Sequence, residues 1–71
     1  MRFSDAQWKT LKRLNEAQTK GCEYIDIMRA GGNGHTLRWL VDRELIRLEK
    51  TFGTKFWYIT DAGMTQLLAT G

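Results

Sequence analysis

Residues 34–63 read Gly-His-Thr-Leu-Arg-Trp-Leu-Val-Asp-Arg-Glu-Leu-Ile-Arg-Leu-Glu-Lys-Thr-Phe-Gly-Thr-Lys-Phe-Trp-Tyr-Ile-Thr-Asp-Ala-Gly, and within them the apolar period changes. Leu37, Leu40, Val41 and Leu45 recur at the spacing of one helix face, so a helix is predicted over 34–44, capped by Asn33 or Thr36. From Ile46 the period is two: Ile46 and Leu48 alternate with Arg47 and Glu49, and Trp57 and Ile59 with Phe56 and Tyr58. Closing these runs around Thr51-Phe52-Gly53-Thr54 predicts a hairpin over 46–60. It pairs Ile46 with Ile59 and Leu48 with Trp57 on a core face, and Arg47 with Tyr58 and Glu49 with Phe56 on the other. Thr60 then caps a last helix, with Asp61 near its positive end and Met64, Leu67 and Leu68 turned toward the core.

Upstream, Ser4-Asp5-Ala6-Gln7 has the spacing of a capping box, flanked by Phe3 and Trp8 at staple positions. Trp8, Leu11, Leu14 and Ala17 make the inner stripe of a first helix that ends near Thr19 to Gly21, while Lys9, Lys12, Arg13 and Glu16 cover its outer side. Glu23 to Ala30 predicts a second, shorter helix with Tyr24, Ile27 and Met28 on one face, broadened by Ile25. Gly31-Gly32 supplies the left-handed geometry that ends it. Two helices across a short glycine-rich turn make a helix-turn-helix candidate.

With 71 residues, 42% of them apolar, the chain is expected to be a single domain over 1–71. One cysteine, Cys22, forms no internal disulfide and with the lone His35 makes no metal site, so no cofactor or metal is expected and a reducing compartment fits. The polar start at Arg2 to Asp5 and the lack of a long apolar run predict neither signal peptide nor membrane span, hence a cytoplasmic protein. A net charge of +3 suits an anionic partner. The basic residues are spread, however: residues 1–20 carry five basic and two acidic side chains, residues 34–58 five and three.

The segment Thr36-Leu37-Arg38-Trp39-Leu40-Val41-Asp42-Arg43-Glu44-Leu45-Ile46, followed by Tyr58-Ile59-Thr60-Asp61-Ala62-Gly63, resembles the core pattern of bacterial winged helix-turn-helix regulators of the MarR and PadR groups. The resemblance spans about residues 5 to 69. It implies a mostly helical α+β fold with a three-helix core, a β-hairpin wing and a short C-terminal helix. It also implies a transcriptional regulator whose helix 34–44 enters double-stranded DNA; if the site is palindromic a homodimer is expected, since one domain reads only a half-site. The chain departs from the pattern at Glu44, where such helices often carry glycine, and in lacking the dimerisation helices of the larger regulators. A chain of this length also suits a phage or mobile-element product.

With Leu37 at the centre of the buried side, His35, Trp39, Asp42 and Arg43 fall on the outer face of the third helix and Arg38 at its edge. Against a duplex, Arg38 and Arg43 would reach phosphates or a guanine edge, His35 and Thr36 would approach the groove floor, and Trp39 would face the DNA from the same side of the helix. Arg47, Lys50 and Lys55 of the wing would meet the backbone. Trp39 and Asp42 sit awkwardly there, an indole and a carboxylate facing phosphate. Either Trp39 is exposed, or it is half buried against Tyr24 or the hairpin with the helix rotated by one residue. Phe52 at a tight turn either inserts into a minor groove or a protein pocket, or folds back onto Phe56. The alternative function is a protein-interaction module, an accessory protein or inhibitor, anchored by Trp39 and Phe52. Enzymatic activity is not expected: Cys22 and His35 are the only typical candidates, and Gly31-Gly32-Asn33-Gly34 lacks the lysine and hydroxyl of a phosphate loop.

Overall fold

The computed structural model describes residues 2–70. Met1 and Gly71, the outer bounds of the expected domain, lie outside the described residues. Helix α1 spans Asp5–Ala17, α2 Tyr24–Ala30, α3 Gly34–Asp42 and α4 Asp61–Thr70, with an antiparallel hairpin of β1 (Ile46–Thr51) and β2 (Thr54–Ile59) between α3 and α4. The fold class is thus α+β, helical for the most part.

Local chemistry sets the boundaries. Gln7 N–H donates to Ser4 Oγ at 3.2 Å and Ser4 N–H to Gln7 Oε1 at 2.9 Å, the reciprocal pair that fixes the start of α1. That helix stops at Ala17, and the stretch expected to finish it is a 3-10 turn over Gln18–Lys20. Beyond it lies a contact that no periodicity announced. Cys22 N–H donates to the Trp57 carbonyl at 2.9 Å and Trp57 N–H to the Cys22 carbonyl at 2.8 Å, so β2 is paired on both edges at that point. Cys22 therefore belongs to the sheet edge.

Helix α2 ends in a Schellman closure: Gly31, left-handed at φ 106°, donates to the Met28 carbonyl, and Gly32 donates to that of Ile27. For α3 the cap is Asn33, whose Oδ1 accepts from Thr36 N–H at 3.0 Å. The same closure recurs at its far end, where Glu44 N–H meets the Val41 carbonyl and Leu45 N–H that of Leu40. Helix α3 consequently ends at Asp42, two residues short of 44. Glu44 takes the left-handed position at φ 59°, which a side chain occupies at a cost of about 1–2 kcal/mol. Because Glu44 is exposed, Glu44→Gly is expected to raise stability by about 0.5–1 kcal/mol once glycine's larger chain entropy is counted. Urea titration of the two proteins measures it; a loss of stability would mean that the Glu44 side chain holds this corner.

The strand register is the expected one, from Ile46 opposite Ile59 to Thr51 opposite Thr54. Phe52 and Gly53 turn the chain with φ 50° and 80°, the positive values a two-residue type I′ turn needs. Thr60 caps α4, its Oγ1 accepting from Gly63 N–H at 3.1 Å while donating to the Glu44 carbonyl at 2.7 Å.

One core joins the layers: Leu11 and Leu14 of α1, Ile27 of α2, Leu37 and Leu40 of α3, Leu45, Ile46, Trp57 and Ile59 around the hairpin, Leu67 of α4, and Cys22. Each fully buried leucine contributes about 1.5–3 kcal/mol of transfer free energy. Several residues expected inside lie outside. Tyr24, Ile25 and Met28 are exposed because a seven-residue helix buries only a narrow stripe, here Ile27. Leu48 lies toward the open end of the core face of the hairpin, and Leu68 projects from α4 instead of turning inward.

Candidate functional site

Between the start of α2, the outer edge of α3 and the core-side face of the hairpin runs a groove of about 830 Å³. Its walls are apolar, with Tyr24 and Ile25 on one side, Leu37 and Val41 from α3, and Leu48 and Trp57 from the strands. Arg38 reaches it from α3 and Lys50 and Lys55 from the strands, with Glu23 the acidic residue in the lining.

Strand alternation explains why both lysines arrive there: Lys50 shares its face with Leu48, and Lys55 with Trp57. The two lysines are also direct cross-strand partners. Like charges placed opposite one another destabilise a ladder. Among the described residues neither lysine nor Arg38 has an ion pair; the two ion pairs are Lys9 with Asp5 and Arg47 with Glu49. The groove therefore gathers unpaired positive charge beside apolar walls, a setting in which an anion with an apolar body is favoured.

The other expected contact residues divide. His35 is exposed in the first turn of α3 and does not line the groove. Thr36, expected at a groove floor, is buried at 6% exposure, and its hydroxyl donates to Asn33 Oδ1 at 3.2 Å; closing the cap takes the side chain out of reach. Trp39, expected outward, is half buried instead. Phe3 meets it edge-on, with ring centroids 5.9 Å apart and planes at 74°. The Arg43 guanidinium lies 3.8 Å over the indole, and Arg43 Nη1 donates to the Trp39 carbonyl at 3.3 Å. The half-buried alternative for Trp39 is the one found, with Phe3 as its ring partner. Arg43 covers this aromatic and stands away from the groove.

Arg47 sits on the opposite face of the hairpin from Lys50, 4.6 Å over the Tyr58 ring and 2.6 Å from Glu49 Oε2, so its charge is already met. Phe52 at the tip is fully exposed, at 103%, and does not fold back onto Phe56. Sequence reasoning missed Tyr24, Ile25 and Leu48 as surface residues of the groove. The signal was the excess of apolar side chains over what so short a helix has room to bury.

Cys22 is buried, and that burial pushes its thiol up from its ordinary value, Arg13 pulling the other way and Asp26 and Glu16 adding to the rise. Among the described residues no group of three His, Cys, Asp or Glu side chains is placed to hold a metal, and no helix is long and apolar enough to cross a membrane. The chain matches no protein-family model and none of the curated proteins.

Proposed function

We propose that this chain is a small winged helix-turn-helix protein that binds double-stranded DNA and regulates transcription in the cytoplasm, without enzymatic activity. Helix α3 enters the major groove, and the hairpin acts as the wing along the adjacent backbone. The observation that carries this reading is the gathering of Arg38, Lys50 and Lys55, all unpaired among the described residues, around the groove between helix and hairpin. Arg38 reaches a phosphate or a guanine edge, Lys50 and Lys55 contact phosphates, and exposed His35 approaches the bases from the start of α3. Thr36 and Trp39 have no part in the contact, Arg43 at most a flanking one, and Arg47 only after leaving Glu49. A palindromic site would take two copies.

Three phosphate contacts give a salt slope of about −2.7, so affinity for duplex DNA falls about fortyfold between about 50 and about 200 mM salt. Fluorescence anisotropy with a labelled random-sequence duplex measures that slope. A second reading, a winged-helix module that docks on a protein, is favoured by the exposed apolar wall of Tyr24, Ile25 and Leu48 together with Phe52. Trp39 is a weaker anchor than Phe52 for such docking, because Phe3 and Arg43 pack on its ring. No duplex binding even at low salt would leave the protein-docking reading in place of the DNA one.

A further inference from the structure

We propose that Phe52 is a wedge that enters the minor groove of the bound duplex and unstacks a flexible pyrimidine–purine step, an inference that rests on the DNA reading above. Phe52 is completely exposed, at 103%, at the apex of the hairpin. Its backbone is left-handed at φ 50°, in a turn whose first central position is ordinarily filled by asparagine, aspartate or glycine. A bulky side chain is disfavoured there, and its ring gains nothing from burial. Neither folding nor solubility accounts for phenylalanine at this place, and strain of this kind collects at functional positions.

The surroundings of the tip say what the ring meets. Lys50 and Lys55 stand directly opposite one another on the stem, and Thr51 and Thr54 close the ladder between them and the turn. No acidic residue lies from Lys50 to Lys55, and the nearest, Glu49, is held by Arg47. An apolar ring on a narrow cationic stem matches a duplex, whose phosphates take the lysines while the ring replaces a stacking neighbour between base pairs. Apolar wedges of this type kink the duplex by roughly 20–90°. Pyrimidine–purine steps unstack most easily, so they are the preferred sites.

The test uses the full chain and a duplex with one central TpA step whose adenine is replaced by the fluorescent base 2-aminopurine, read by emission for unstacking and by anisotropy for binding. The wild type should bind with the expected salt dependence and raise the emission several-fold. Phe52→Ala should lose that rise and bind about tenfold more weakly, the effect of losing one stacking contact. Phe52→Asn, which places asparagine before Gly53, should raise the melting temperature yet also lose the emission, separating the wedge from any structural duty. Salt-dependent binding without an emission change, or unchanged affinity in Phe52→Ala, overturns the wedge and leaves the DNA reading standing. Absence of any binding to this duplex at low salt overturns both.

Discussion

Gly63→Ala is expected to destabilise the protein by about 3 kcal/mol, lowering its melting temperature by roughly 12–24 °C. A methyl group there would stand 2.1 Å from the Leu45 carbonyl oxygen and 2.8 Å from Ile59 Cγ1. The backbone has little freedom to yield, because the Leu45 carbonyl accepts from Thr60 N–H at 3.1 Å and the Thr60 hydroxyl holds the Glu44 carbonyl at 2.7 Å. The first turn of α4 is thereby pinned to the corner where α3 gives way to β1. For a domain whose total stability is on the order of 5 kcal/mol, such a loss leaves a substantial unfolded population. The sign makes the prediction sharp. In an open helix the same substitution stabilises by about 1 kcal/mol through helix propensity, so a thermal melt that moves upward would show that the corner is looser than described. Gly53→Ala is the contrasting case: nothing lies within 4 Å of the added methyl, and only the positive φ of 80° opposes it, at a cost of about 1 kcal/mol.

The second large effect is on binding. Replacing Arg38, Lys50 and Lys55 together by alanine removes the unpaired cations that line the groove. At about 0.9 released counterions per phosphate contact, the salt slope should shrink by about 2.7, and affinity at about 0.1 M salt should fall about 500-fold. Folding should not suffer. None of these side chains belongs to the core, and removing the Lys50–Lys55 opposition relieves a repulsion, so the melting temperature is expected to hold or rise slightly. Arg47→Ala serves as the internal control. Its charge is held by Glu49 on the far face of the hairpin, and its loss should leave the slope nearly unchanged. Equal effects from Arg47 and Lys50 would mean that the binding surface wraps the whole hairpin.

What was legible in the sequence follows the range of the physics involved. The cap at Ser4 and Gln7, the closure at Gly31-Gly32 and the register from Ile46–Ile59 to Thr51–Thr54 are short-range, and periodicity or spacing carries each of them. Trp39 was not legible in the same way. Its cover is Phe3, a residue at the other end of the chain, and a helical wheel holds no information about which distant side chain arrives. The Cys22–Trp57 bridge is a single pair, too short to leave a period. Glu44 was visible as a departure where glycine is usual, yet only its φ of 59° shows that the departure falls on the closing residue of α3.

The candidate site was legible in half. Arg38, Lys50 and Lys55 were each singled out from the third helix and the hairpin, and the fold brings the three to one groove. Thr36 was lost to its own cap, and Arg43 to the face of Trp39. Arg47 was separable from sequence alone, because the same alternation that sets Lys50 beside Leu48 sets Arg47 on the opposite face.

We propose that DNA meets the groove between α3 and the hairpin, and an NMR titration of isotope-labelled protein with a short unlabelled duplex reads out that surface. Shifts are expected to concentrate at Arg38, Lys50, Phe52 and Lys55, with α4 unmoved. Shifts confined to Lys9, Lys12, Arg13 and Lys20, the basic residues in and just after α1, with the groove silent, would contradict it.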